Sequence, residues 1–408
     1  MKKIDKLIKK EVVRQQNSIN LIPSENYVSQ KVLDAIGSPL TNKYSEGYPG
    51  KRYYPGNEIY DKIEMYVQNL ALKAFRLNQK DWSVNIQPYS GSPANLAVYL
   101  ALMSPGDKLL GFSLTSGGHL THGHFVNYSG KLFKVRQYSV NPKTGLLDYD
   151  EIYKLAKKFK PKLIVSGLTS YPRKIDFKKF GQIAKKVGAY HLADISHIAG
   201  LILANLHPTP FSYSDVVTTT THKTLRGPRG ALIFMRKHLE EKINKSVFPG
   251  LQGGPHNNII AGIGVMFEEA LTSKFIKYQQ QILKNAKVLS KELMNLGFTL
   301  WTNGTDNHLM VIDLKPLGLN GKIAEEILES ANILANRNTL PGDTSPFNPT
   351  GLRLGTPAVT SRGMKEKEML KIAKFIKELL IDQKDPKKIK EEVIRFLCKF
   401  PLPYKKWL

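Results

Sequence analysis

A chain of 408 residues that is 41 % hydrophobic has the length for two ordinary domains and enough apolar content for a sizeable core, which excludes the disordered class. No apolar run approaches the roughly eighteen residues of a membrane span, and the one cysteine, Cys398, excludes an internal disulfide and a cysteine-built metal site and fits a reducing cytoplasm. Lysine and arginine number 60 against 34 aspartates and glutamates, a net charge of +26, which is open to nucleic-acid binding, to mild attraction of anionic substrates, or to a merely lysine-rich surface.

Residues 3–16 predict a charged helix, and the basic start is followed by no apolar stretch or small-residue cleavage site, so no secretory signal is expected. A short extended arm follows at 19–22, then a turn-rich, aromatic-rich stretch at 41–56. Short β-branched runs at 163–165, 190–193, 216–220 and 231–234 then alternate with lysine-studded helical patterns such as 177–187. This alternation predicts an α/β fold with a mostly parallel sheet between helices. From about residue 271 the texture changes to a long helix at 273–296, a strand at 309–314, a helix at 321–330, a loop rich in Pro, Gly and Asn, and a final helical region. The expected organisation is an N-terminal arm (1–35), a large domain (36–270) and a smaller α+β domain (271–408). In open α/β sheets ligands sit at the carboxyl ends of the strands, so polar residues just after the apolar runs are the first candidates for chemistry.

Thr218, Thr219, Thr220 and Thr221 lead into His222 and Lys223, followed by a glycine-rich turn at 227–230. A lysine at a strand end can form a Schiff base with a carbonyl if its pKa is lowered, although by itself it reads equally as one more surface lysine. Asp194 closes the run 190–193, where a carboxylate is costly unless paired. A protonated pyridine nitrogen would be such a partner; a helix N-cap is the plainer alternative. Ser90, Gly91, Ser92, Pro93 and Asn95 precede a helical pattern at 96–103 and suit either an ordinary cap or a phosphate-binding helix start. His119, His122 and His124 invite a metal, but their spacing among glycines is not that of a helical zinc site and no carboxylate cluster accompanies them, so no metal is expected.

These segments, in this order, resemble the serine hydroxymethyltransferase family of pyridoxal-phosphate (PLP) enzymes of fold type I. The resemblance runs through residues 21–26, 41–54, 117–123, 194–200, 218–230, 248–255, 305–308 and 351–357. It implies that Lys223 carries the cofactor as a Schiff base, that Asp194 pairs with the pyridine nitrogen and that His119 stacks on the ring. Gly91, Ser92, Thr169, His197 and His222 would hold the phosphate or the phenolic oxygen. Arg353 would clamp the amino-acid carboxylate, a bidentate task suited to guanidinium, with Ser24 assisting. Glu46 would be the acid/base near the serine hydroxyl. Tyr44, Tyr54, Gly253 and Gly254 would come from a neighbouring subunit, so a homodimer, or a tetramer built from it, is implied. Leu114, Gly118, Leu120, Asn338, Ser345, Pro346 and Phe347, with His119, would lie at the tetrahydrofolate site.

The chain departs from the family pattern at Thr169, where a serine is common, at Tyr89, in place of a frequent histidine, and at Asn20, in place of an acidic residue. At Arg226 it replaces a small residue and is expected to add charge near the phosphate. The implied activity is the reversible conversion of L-serine and tetrahydrofolate to glycine and 5,10-methylenetetrahydrofolate by a cytoplasmic enzyme. A folate-independent aldolase of the same fold, acting on threonine-type β-hydroxy amino acids, is the nearest alternative, and the folate segment 338–347 argues against it. RNA binding is motivated by charge alone, and dispersed lysines such as Lys157, Lys158, Lys178 and Lys179 argue against a dedicated basic arm.

Overall fold

The computed structural model describes residues 2–343 and 348–404. Seven strands form its main sheet: β1 (Trp82–Asn85), β2 (Lys108–Phe112), β3 (Lys134–Tyr138), β4 (Leu163–Gly167), β5 (Tyr190–Asp194), β6 (Val216–Thr220) and β7 (Ala231–Arg236). Their spatial order is β1-β7-β6-β5-β4-β2-β3. Only β7 runs antiparallel to its neighbours, β1 and β6; the other pairs are parallel. Parallel strands covered by helices on both faces bury every side chain, which is why β4 reads as the unbroken apolar run Leu163, Ile164, Val165, all fully buried.

The register sets the strand ends side by side, with Gly167 opposite Asp194 and Asp194 opposite Thr218. Gly167 has φ +142°, and a Cβ there would lie 2.2 Å from the Asp194 carbonyl oxygen, so only glycine lets these two ends approach. The carboxyl ends of β4, β5 and β6 thus converge, and the segments leaving them carry Thr169, Asp194 with His197, and Lys223.

A second sheet has four antiparallel strands in the order Thr299–Leu300, Leu309–Asp313, Gly351–Gly355, Asn336–Asn338. The helix Ser273–Asn295 lays Ala286, Leu289 and Leu293 against it, a stripe at helical spacing. Met310, Ile312, Leu352, Leu354 and Phe375 fill the same core. The N-terminal arm belongs to this core as well: Ile19–Asn20 pairs in parallel with Ile333–Leu334, and Ile19 and Leu21 are fully buried there. Asn20 makes that path possible, its amide donating to Glu25 Oε2 at 2.8 Å while its Oδ1 accepts the Ile22 N–H. The amide can do both jobs, which an ionised carboxylate could not.

Candidate active site

Lys223 follows β6 on a turn fixed by backbone bonds from Thr221 N–H to the Gly230 carbonyl and from Gly227 N–H to the Thr221 carbonyl. Its own carbonyl accepts from Asn26 Nδ2 at 2.8 Å, so the main chain is held while the amine is left without a hydrogen-bond partner among the described residues. Burial lowers its pKa to about 8; Asp194 opposes that shift, and Arg353 and Arg229 add to it. The amine faces a cavity of about 370 Å³ lined also by Ser24, Glu25, Ser90, Gly91, Ser92, His119, Leu168, Thr169, Asp194, Ser196, His197, Thr220, His222, Arg229 and Arg353.

Asp194 is buried and fully engaged. Its Oδ2 accepts from Asn95 Nδ2 at 2.9 Å and meets His122 Nε2 at 3.3 Å, while Oδ1 accepts the Ser196 N–H at 3.1 Å. Burial pushes its pKa up, but the hydrogen bond from His122 and the nearby Lys223 outweigh it and hold the carboxyl well below its ordinary value. Asp194 is not a helix N-cap: the next helix, Ala199–Leu203, has Ile198 at that position, and the Ser196 bond closes only a local turn while Oδ2 meets Asn95 and His122. Asn95 is locked in turn by Thr218 Oγ1, which donates to its Oδ1 at 2.6 Å. Asn95 and His122 were not singled out for this role by the sequence. The signal for His122 was the histidine cluster, whose second member turns to the aspartate, while the His124 ring lies 4.5 Å from that of Phe125.

His119 Nδ1 accepts the Thr121 N–H at 3.2 Å, and burial lowers its pKa to about 4, so it presents a neutral, fixed ring. The helix Gly91–Leu102 begins five residues earlier than its apolar pattern suggested. Proline at the third helical position is tolerated there because first-turn N–H groups have no intrahelical partner. Ser90 provides no side-chain cap, so those groups remain open toward the cavity side. A Cβ on Gly91 would stand 2.8 Å from Thr220 Cγ2, so the close approach of this helix start to the end of β6 needs glycine. His222, with its pKa lowered to about 3 by burial, keeps Nδ1 buried and unpartnered.

Arg353 projects from the second sheet, donating to the Thr169 carbonyl at 2.8 Å and to Asn336 Oδ1 at 3.2 Å. Burial lowers its pKa to about 10, it stays cationic, and no carboxylate pairs with it among the described residues. Its Nη2 has no partner among the described residues, and a buried guanidinium without a carboxylate partner is a carboxylate receptor. PLP fits this chain: the open helix start and orphaned His222 Nδ1 suit its phosphate, the His119 ring its face, the ionised Asp194 its pyridine nitrogen, and the partner-free Lys223 its aldehyde.

Tyr44, Glu46, Tyr54, Gly253 and Gly254 do not line this cavity. They form a separate cluster, with the Tyr44 and Tyr54 rings 5.1 Å apart. A Cβ on Gly254 would be 3.1 Å from the Tyr44 ring, and one on Gly253 3.0 Å from Glu46 Oε1. Arg52 does not pair with Glu46; it is taken by Asp61 at 2.8 Å and Glu64 at 2.5 Å. Tyr89 ties this cluster to the helix start, donating to the Gly254 carbonyl at 2.7 Å and stacking on His256. Leu114, Gly118 and Leu120 sit on the loop carrying His119, and Asn338 lies opposite Gly351 on the strand beside Arg353. Ser345, Pro346 and Phe347 lie outside the described residues. Arg226 corrects an expectation: its guanidinium donates to the Tyr27 carbonyl at 2.7 Å and lies over the Tyr278 ring, and it does not line the cavity.

The family model for serine hydroxymethyltransferase matches residues 1–376. A serine hydroxymethyltransferase of Caenorhabditis elegans is 50 % identical over 391 residues, covering 91 % of this chain and 77 % of the relative. One from Caenorhabditis briggsae is 50 % identical over 391 residues, covering 91 % and 76 %. On these matches, the chain belongs to the serine hydroxymethyltransferase family, PLP-dependent one-carbon transferases that use tetrahydrofolate as co-substrate.

Proposed function

We propose that Lys223, Asp194, His119 and Arg353 carry out the family's reaction in this chain, the reversible conversion of L-serine and tetrahydrofolate to glycine and 5,10-methylenetetrahydrofolate. PLP, when bound, supplies the electron sink for the pair left when the bond between the α and β carbons of serine breaks. Lys223 would hold the cofactor at its aldehyde, and its amine, with a pKa lowered to about 8 by burial, would serve in the cavity as a proton acceptor. Asp194, ionised, holds a proton on the ring nitrogen. His119 orients the ring by stacking, and Arg353 fixes the serine carboxylate. Gly91, Ser92, Thr169, His197 and His222 anchor the phosphate and phenolic oxygen, and Ser24 assists at the substrate.

The observation that carries this reading is the convergence of a partner-free buried lysine, an ionised aspartate and an unpaired arginine on one cavity. Borohydride reduction of the holoenzyme followed by peptide mapping is expected to leave the pyridoxyl label on Lys223; a label on another lysine overturns the assignment. Folate dependence follows from family membership, which favours the transferase over the folate-independent aldolase.

Tyr44, Tyr54, Gly253 and Gly254 act, in this reading, on the site of a partner subunit, with Glu46 moving a proton at the serine hydroxyl or the folate adduct. The exposed aromatics Tyr44, Tyr53 and Tyr54 support it. Mixing Tyr54→Ala with Lys223→Ala is expected to restore activity through hybrid dimers, and no recovery after verified subunit exchange counts against shared sites. Leu114, Gly118, Leu120, Asn338 and residues 345–347 are assigned to folate on the resemblance. The division at about residue 270 and a cytoplasmic location belong to the same reading. The lone Cys398 supports the location, and among the described residues no helix is long and apolar enough to cross a membrane.

A further inference from the structure

His197 leaves β5 toward the cavity, and His308 stands behind it at the start of the strand Leu309–Asp313. Their ring planes are inclined by only 26° with centroids 5.4 Å apart, so the rings meet edge to edge, and His197 Nδ1 lies 3.2 Å from His308 Nε2. Both are essentially inaccessible to solvent. Burial, with the nearby cations Lys223 and Arg353, holds His197 well below its ordinary pKa and brings His308 to about 3. Two neutral imidazoles in hydrogen-bond contact share one proton between the facing nitrogens, and two arrangements are open.

If His197 donates from Nδ1, His308 carries its own proton on Nδ1. That nitrogen is buried and has no partner, so the arrangement strands an N–H in the interior. If His308 donates from Nε2, its Nδ1 is a bare lone pair. Orphaned buried N–H groups are the rarer of the two defects, and an isolated histidine side chain also favours the proton on Nε2. With His197 Nδ1 accepting, the remaining proton of His197 sits on Nε2, which has no partner among the described residues and belongs to the ring lining the cavity.

We propose that His308 is a positioning residue that fixes the tautomer of His197, so that His197 offers the cavity an N–H donor rather than a lone pair. Such a donor suits an anionic oxygen of the bound cofactor. This rests on the cofactor site proposed above and adds a residue outside the cavity lining. The contact joins the two sheets: His308 is held by the Thr356 N–H donating to its carbonyl at 3.1 Å, and its neighbour Asn307 donates to the Tyr171 carbonyl at 3.2 Å.

Neutron diffraction from deuterated holoenzyme crystals reads the tautomer directly, whichever lysine holds the cofactor. Deuterium is expected on His308 Nε2 and on His197 Nε2. Deuterium on Nδ1 of either ring overturns the proposal. Two variants add a second readout. His308→Gln places an amide donor near the position of Nε2 and is expected to keep cofactor affinity within about twofold. His308→Leu removes the donor and is expected to weaken PLP binding roughly tenfold. Equal cofactor affinity in the two variants, with both folded by circular dichroism, also overturns it. If the borohydride label falls elsewhere while the neutron result stands, the lysine assignment fails and the tautomer proposal survives.

Discussion

Glu46 stands near two cations in the sequence and pairs with neither. Arg52 gives its guanidinium to Asp61 and Glu64, and Lys43 donates to the Tyr44 carbonyl at 3.1 Å. The segment 43–54 is therefore held without the side chain of Glu46, which takes part only through its carbonyl, the acceptor of the Tyr53 N–H at 3.1 Å. Glu46→Gln keeps the shape but cannot transfer a proton, so it is expected to bind cofactor normally and lose roughly a hundredfold or more of folate-dependent turnover per bound cofactor. Turnover near wild type would remove Glu46 from the mechanism. Lys223 allows a pH test. Its lowered pKa means that the neutral amine appears through about pH 8, not 10.5. The rate at which cofactor-free protein captures PLP is expected to rise through about pH 8 and level off above it, read by stopped-flow absorbance. A rate still climbing beyond pH 10 would show an amine that burial leaves unperturbed. At this scale Lys223 and Asp194 drew notice by their places at strand ends and Arg353 only through the family resemblance, and the structure brings all three to one cavity. Asn95 and His122 escaped because an asparagine inside a helix and a histidine in a glycine-rich loop carry no spacing that points across 99 and 72 residues to Asp194.

Among the elements, those with a strong period were legible. The helix Gly321–Ser330 matches its sequence pattern because Asn320 caps it by accepting the Ile323 N–H and the apolar stripe is regular. The two-residue strands Ile19–Asn20 and Ile333–Leu334 were not legible as a pair, since two residues hold no period and their partners lie about three hundred positions apart. The turn 301–306 shows what a local reading cannot supply. Thr302 and Asn303 take φ of +63° and +55°, costly for residues with a Cβ. Arg173 holds them: it donates to the Thr302 carbonyl, to the Asn303 carbonyl at 3.1 Å, and to Asp306 at 2.9 Å. This turn leads directly into Asn307 and His308, so Arg173 braces the segment behind His197. Arg173→Lys keeps the charge and loses the fork. It is expected to cost about 1–3 kcal/mol in urea unfolding, from carbonyls left without donors, and to weaken cofactor binding. Unchanged stability would show that the turn holds itself.

For the whole molecule the unresolved number in the composition is the charge of +26. Nearly all the lysines are surface residues, and several of the ion pairs join neighbours three or four apart on one helix, such as Lys154 with Glu151 and Lys245 with Glu241. Pairs of this kind add little stability, and they leave most of the excess cations uncompensated. A strongly positive molecule draws anions and is indifferent to zwitterions. Tetrahydrofolate carries carboxylates, whereas serine has no net charge. The apparent second-order rate constant for tetrahydrofolate is therefore expected to fall severalfold as potassium chloride is raised from about 0.02 to about 0.3 M, as the screening length shortens from roughly 20 Å to below 10 Å, while the KM for serine changes little. Extending the folate with further glutamates is expected to steepen the dependence. Equal sensitivity of the two substrates would mean that salt acts on the protein as a whole. Insensitivity of both would leave the lysine surface without a part in substrate capture. A salt-dependent gel shift with RNA would instead assign the charge to a polyanion, through counterion release that grows with the number of phosphates contacted.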